Sequence, residues 1–145
     1  MIEEETVQTV VLLVEDNQDL NLAMREILES CGYAVLTAEN GVQATIILEK
    51  QIPDVILCDI MMPEMDGYDL LRFTRSEPSL RMIPFIFLTA LTSTSDQRRA
   101  REIGIDDYLT KPAETIDLLA SINNSLRRSR MMEDELRRQS DELRT

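Results

Sequence analysis

Val55-Ile56-Leu57-Cys58-Asp59-Ile60-Met61-Met62-Pro63 is the stretch from which the fold can be read. Four apolar side chains run into an aspartate, and a proline follows four positions later. The run is too short for a helix, and it lacks the polar alternation of a half-exposed strand. It suits a strand covered on both faces. A carboxylate directly after such a strand lies at the strand's carboxyl end, where open α/β sheets hold their ligands. Taken alone, Asp59 could equally cap a turn, so the flanking sequence has to decide.

Upstream, Thr9-Val10-Val11-Leu12-Leu13-Val14 is a second buried-strand pattern, and it ends in Glu15-Asp16. Asn17 or Asp19 can cap a helix that places Leu20, Ala23, Met24, Ile27 and Leu28 at helical spacing and stops near Gly32. Tyr33-Ala34-Val35-Leu36-Thr37-Ala38 reads as a strand. Asn40-Gly41 then turns into a helix carrying Val42, Ala44, Ile46, Ile47 and Leu48, which Pro53-Asp54 ends. Downstream, the loop Glu64-Met65-Asp66-Gly67 leads to a helix with Leu70, Leu71 and Phe73. The strand Phe85-Ile86-Phe87-Leu88 ends in Thr89-Ala90, and Ser93, Thr94 or Ser95 can cap a helix running to Ile103-Gly104. A short strand, Asp107-Tyr108-Leu109-Thr110, is closed by Lys111-Pro112, and a long helix starts at Thr115. Five strands alternating with five helices predict an α/β fold, a doubly wound five-stranded parallel sheet. The expected strand order is the flavodoxin-like 2-1-3-4-5, with the site at the carboxyl ends of the first and third strands.

Composition narrows the function. At 145 residues the chain suits one domain with a real core. Fifteen Lys and Arg against 27 Asp and Glu give a net charge of -12, which argues against nucleic acid as a direct partner. No apolar run approaches the length of a membrane span, and residues 1–8 carry no basic leader segment; a cytoplasmic location without membrane contact is expected. With no histidine, Ser-His-Asp and Cys-His catalysis and histidine metal sites are excluded within this chain. Cys31 and Cys58 read as reduced core thiols, with Cys58 packing rather than reacting beside Asp59. Met61, Met62 and Met65 read as loop and core filling.

Each strand that can reach the expected site ends in a chemically useful residue: Glu15 and Asp16, Asp59, Thr89, and Lys111. Carboxylates brought to ~4 Å repel by roughly 4 kcal/mol per pair at an effective dielectric of about 20. Such a cluster needs a cation or raised pKa values. Oxygen ligands without His or Cys suit Mg²⁺. A carboxylate nucleophile, Mg²⁺, a lysine and a hydroxyl donor make a phosphoryl-transfer site in which Asp59 would form an aspartyl phosphate.

At these residues the chain resembles the receiver domain of two-component response regulators. The resemblance is carried by Leu13-Val14-Glu15-Asp16, by Asp59 with Met62-Pro63 and Met65-Asp66-Gly67, by Thr89-Ala90, and by the run from Gly104 through Asp107-Tyr108 to Lys111-Pro112. It implies that Asp16, Asp59 and the backbone carbonyl of Met61 ligate Mg²⁺, with Glu15 acting through water. It implies further that Asp59 is the phosphoacceptor and takes phosphate from a sensor histidine kinase or a phosphotransfer protein. Lys111 and Thr89 would hold the phosphoryl oxygens, and Thr89 and Tyr108 would form the switch. The Lys111-Pro112 bond would be cis. The output face would comprise the fourth helix, fifth strand and fifth helix. The domain would be a signalling switch rather than an enzyme acting on other substrates.

The alternative is a phosphatase with an aspartate nucleophile. Such enzymes resemble one another in a second Asp two residues after the nucleophile, where this chain has Met61. A flavin-binding module lacks support, because Glu15-Asp16 would repel a phosphate after the first strand. The expected organisation is a flexible start at 1–8, a receiver domain at 9–128, and a helical linker at 129–145 leading toward an output module beyond Thr145. No Gly or Pro interrupts that linker, and Glu133–Arg137 and Asp134–Arg138 are expected as ion pairs along it. Leu119, Ile122 and Leu126 are expected in the core, while Met132, Leu136, Gln139 and Leu143 follow 4-3-4 spacing, a seam for a homodimeric coiled coil.

Overall fold

The computed structural model describes residues 7–144. Of the expected flexible start, residues 1–6 lie outside that range, as does Thr145. Five parallel strands form one sheet in the order β2-β1-β3-β4-β5. They are β1 (Val10–Val14), β2 (Ala34–Ala38), β3 (Val55–Cys58), β4 (Phe85–Thr89) and β5 (Asp107–Thr110). Helices α1 (Gln18–Ser30), α2 (Gly41–Lys50), α3 (Gly67–Ser76), α4 (Thr94–Ile103) and α5 (Thr115–Arg144) alternate with them. This is the doubly wound order expected from the sequence, and it puts the ends of β1 and β3 side by side, with Val14 level with Cys58.

Local chemistry sets the boundaries. Asn17, Asn40, Asp66 and Ser93 each cap a helix, their side-chain oxygens accepting from backbone N–H groups of the first turn. Gly104 ends α4 in the left-handed conformation, where a Cβ would be strained. The three central strands are buried on both faces, and their side chains alternate between two layers. Leu12, Ile56, Cys58, Phe85 and Phe87 meet α2 and α3, whereas Val11, Val55, Leu57 and Ile86 meet α1 and α5. Each fully buried Leu, Ile or Phe contributes roughly 1.5–3 kcal/mol.

Several expectations change. Cys31 is exposed, because it caps the end of α1 and does not face the sheet; only Cys58 is a core thiol. Leu118, not Leu119, is buried with Ile122 and Leu126. Met62 and Met65 pack on the core, but Met61 is 64% exposed. Beyond residue 128 the α5 helix continues without interruption, but its ion pairs run i,i+3, from Arg137 to Asp134 at 3.9 Å and from Arg138 to Glu135. No helix among the described residues is long and apolar enough to cross a membrane.

Candidate functional site

The site lies where β1, β3 and β5 end. Asp59 N donates to Val14 O at 3.0 Å, which locks the first residue after β3 to the last of β1. The Asp59 carboxylate is fixed from two sides: Ile60 N donates to Oδ1 at 2.7 Å, and Lys111 Nζ to Oδ2 at 2.9 Å. Lys111 also bonds Glu15 Oε1, and Asn17 N donates to Glu15 Oε2 at 3.2 Å. The Lys111 N–H donates to Thr89 O at 2.8 Å, which ties the end of β5 to the end of β4, and the Lys111-Pro112 bond is cis.

Burial pushes the Glu15 carboxyl above the usual carboxylate range, while the bonds from Lys111 and Asn17 pull it back. Burial also works against the Lys111 ammonium, but its bonds to Glu15 and Asp59 outweigh that, and its pKa lies above the ordinary lysine value. Lys111 is therefore a charged clamp between two acids. Burial, reinforced by the charges of Asp59 and Glu15, pushes the Cys58 thiol well up. Its Sγ is 2.9 Å from Asp59 O, so Cys58 is a protonated packing group and not a nucleophile.

Carboxylate oxygens of Glu15, Asp16 and Asp59 lie within 4.8 Å of one another. One lysine cannot neutralise three carboxylates, and the donors are all oxygen. The cluster therefore fits a hard divalent cation such as Mg²⁺. Asp16 is exposed and Glu15 buried, so a cation would enter from the Asp16 side. Removing one of these charges relieves repulsion. Asp16→Asn is expected to stabilise the metal-free protein by about 1 kcal/mol, small because the residue is solvated. Mg²⁺ should raise the melting temperature of the parent by mass action and that of the variant less. Thermal melts with Mg²⁺ and with chelator measure both; a metal-free Asp16→Asn protein that melts lower contradicts the cluster.

Thr89 ends β4, and Tyr108 lies on the neighbouring β5. Thr89 is fully buried, and its Oγ1 accepts from Leu91 N at 3.3 Å, which leaves the hydroxyl proton available. The Tyr108 hydroxyl donates to Leu91 O at 2.7 Å, and its ring meets the edge of Phe87 at 6.1 Å. Thr89 and Tyr108 are thus joined through one residue, Leu91. Of the expected site residues, Glu15, Asp16, Asp59 and Lys111 converge; Met61 turns its side chain to solvent.

Other contributors are not evident from sequence. Asn21 Nδ2 donates to Glu15 O at 3.0 Å and Ala38 O at 3.3 Å, pinning the acidic loop to β2. An asparagine one turn into a helix gives no such signal. Tyr68 donates to Asp96 Oδ1 at 2.7 Å, and the Arg99 guanidinium lies 4.0 Å from its ring centre. Only Ala100 of α4 is buried, so these contacts from α3 hold much of that helix in place.

Comparison with known proteins identifies the family. The family model described as the response regulator receiver domain matches residues 11–123. The chain is 39% identical over 119 residues to the probable transcriptional regulator ycf27 of Porphyra purpurea, covering 82% of this chain and 48% of that one. It is 38% identical over 127 residues to the response regulator PleD of Caulobacter vibrioides, covering 87% of this chain and 28% of that one. The crystal structure of the receiver domain of sensor histidine kinase PA1611 from Pseudomonas aeruginosa superposes with a TM-score of 0.77 at 33% identity. That match covers 83% of this chain and 98% of that one, which has a magnesium ion coordinated in its active site cleft. The chain belongs to the response regulator receiver domain family. Receiver domains are phospho-accepting signalling switches that work with histidine kinases or phosphotransfer proteins. The chain spans about half or less of the length of these two curated relatives. One of them is named a transcriptional regulator, so the charge argument against nucleic acid applies to this stretch alone.

Proposed function

We propose that Asp59 is the phosphoacceptor of this switch. The observation that carries the reading is its carboxylate, tethered by Lys111 at 2.9 Å and within 4.8 Å of Glu15 and Asp16. An Asp59 oxygen attacks the phosphorus of a phosphohistidine on a sensor kinase or phosphotransfer protein. The P–N bond breaks, its electron pair stays on the imidazole nitrogen, and an acyl phosphate forms. Asp16, Asp59 and the Met61 backbone carbonyl would hold Mg²⁺. Both Glu15 oxygens are already engaged, which suits a contribution by charge and through water. When bound, the cation neutralises charge that builds on the transferring group. Lys111 stands beside Asp59 to hold a phosphoryl oxygen, and Thr89 donates its free hydroxyl proton to another.

Thr89 turning to that oxygen would loosen its contact with Leu91 N, and Leu91 O also holds Tyr108. That link would pass the state of Asp59 to α4, β5 and α5 as the output face, with residues 129–145 as a helical connection. The phosphatase reading is weaker, because Met61 supplies no proton where an acid/base would be needed. Incubation with acetyl phosphate and Mg²⁺ separates the two. The switch gives a one-to-one adduct on Asp59 by peptide mass spectrometry. Multiple turnover without an adduct, or phosphate on another residue, would sink it.

A further inference from the structure

The α5 helix carries one stripe along its whole length. Leu118, Ile122 and Ser125 face the sheet and are buried. Ser129 marks the domain edge, where its Oγ reaches Met82 O at 3.4 Å. The same 4-3-4 spacing then continues through Met132, Leu136, Gln139 and Leu143, with no domain left to cover it. Met132, Leu136 and Leu143 are 55%, 54% and 88% exposed. We infer that this second half of the stripe is covered by the same segment of a second copy, as a short parallel coiled coil beginning at Met132.

Self-complementary charge selects this occupant and its direction. With Met132 and Gln139 at d and Leu136 and Leu143 at a, the flanking g positions are Arg128, Glu135 and Glu142, and Glu133 is an e position. In a parallel pair each Arg128 faces the partner's Glu133, an attraction made twice by symmetry. In an antiparallel pair with Met132 opposite the partner's Leu143, Glu135 faces the partner's Glu142, a repulsion made twice. Among the described residues the hydrogen bonds of Arg128 run from Nη2, to Asp106 O at 3.3 Å and Ser125 Oγ at 3.2 Å, so Nη1 and Nε can serve the pair. The Ser129 contact with Met82 O and the burial of Leu126 against the base of the domain fix the direction in which the helix leaves. The two helices therefore meet below the domains. Three layers of apolar side chains interrupted by one glutamine make a weak association, which suits a contact that forms at raised concentration.

Sedimentation of the full chain from low to high micromolar should show a reversible rise from the 16.6 kDa monomer toward twice that mass. Leu136→Glu should stay monomeric with an unchanged circular dichroism spectrum, since the position is half-exposed in the monomer. Arg128→Glu should weaken association about tenfold or more, and adding Glu133→Arg should restore it. On a Cys31→Ser background, Leu136→Cys should oxidise to a linked dimer while Arg137→Cys, on the outer face, should not. A mass that stays at 16.6 kDa throughout, a Leu136→Glu variant that dimerises like the parent, a charge swap that fails to restore association, or equal cross-linking at both positions would each overturn the proposal.

Discussion

Asp59→Asn is expected to lose phosphoryl acceptance completely and to keep its fold. The amide has no ionised oxygen to attack phosphorus, so the one-to-one adduct of the parent should vanish from the intact mass. Stability is expected to change by only about 1 kcal/mol, because two effects oppose each other. The side-chain carbonyl of asparagine can still accept from Ile60 N, which bonds Oδ1 at 2.7 Å, and one carboxylate leaves a crowded cluster. Against that, Lys111 loses one of its two acidic partners, but it keeps buried Glu15. Peptide mapping after acetyl phosphate and Mg²⁺, with a thermal melt on the same sample, checks both halves. An adduct that persists in Asp59→Asn places the acceptor elsewhere. A protein that no longer melts cooperatively means that the Lys111 clamp carries far more of the fold than its partial exposure suggests.

Sequence was most informative where period and chain direction decide the outcome. Val55-Ile56-Leu57-Cys58 and Phe85-Ile86-Phe87-Leu88 are short continuous apolar runs, and the structure buries both on two faces. Strand ends follow from strands, so chain direction alone puts Glu15, Asp16, Asp59 and Lys111 at one edge of the sheet, where the structure brings them together. Helical faces were less legible. Leu118 and Leu119 are adjacent and equally apolar, and only the rotation at which α5 lands on the sheet decides that Leu118 is covered. Ion pairs along an exposed helix choose between i+3 and i+4 partners by small rotamer differences, so Arg137 meets Asp134 instead of Glu133. Cys31 is apolar by type, but it occupies a helix end, where burial is set by the turn and not by hydropathy. Asn21 and Tyr68 act through contacts with residues 17 and 28 positions away, which no local pattern encodes.

The close approach of Gly67 to the phosphoacceptor strand is the least legible of these features and has a large expected consequence. Gly67 reads from sequence as an ordinary turn residue before a helix. In the structure its N–H donates to Ile60 O at 2.8 Å, drawing the first turn of α3 against the end of β3. A Cβ built there would lie 2.4 Å from Asp59 O, 2.8 Å from Ile60 Cα and 2.9 Å from Phe87 Cε1. Two of these are backbone atoms, held by the Asp59 N to Val14 O bond and by the sheet, and Phe87 is fully buried. None can step aside as a flexible surface side chain would. Gly67→Ala is therefore expected to cost about 3 kcal/mol and to lower the melting temperature by roughly 10 °C. Because relief requires moving the backbone at Asp59, Mg²⁺ should also stabilise the variant less than the parent, although residue 67 carries no ligand atom. Gly32 is the matched control. Its φ of 95° strains any added Cβ, but nothing lies within 4 Å of one, so Gly32→Ala should cost only about 1–2 kcal/mol and leave the response to Mg²⁺ intact. If melts with and without Mg²⁺ show the two variants equally stable and equally responsive, α3 does not press on the Asp59 backbone.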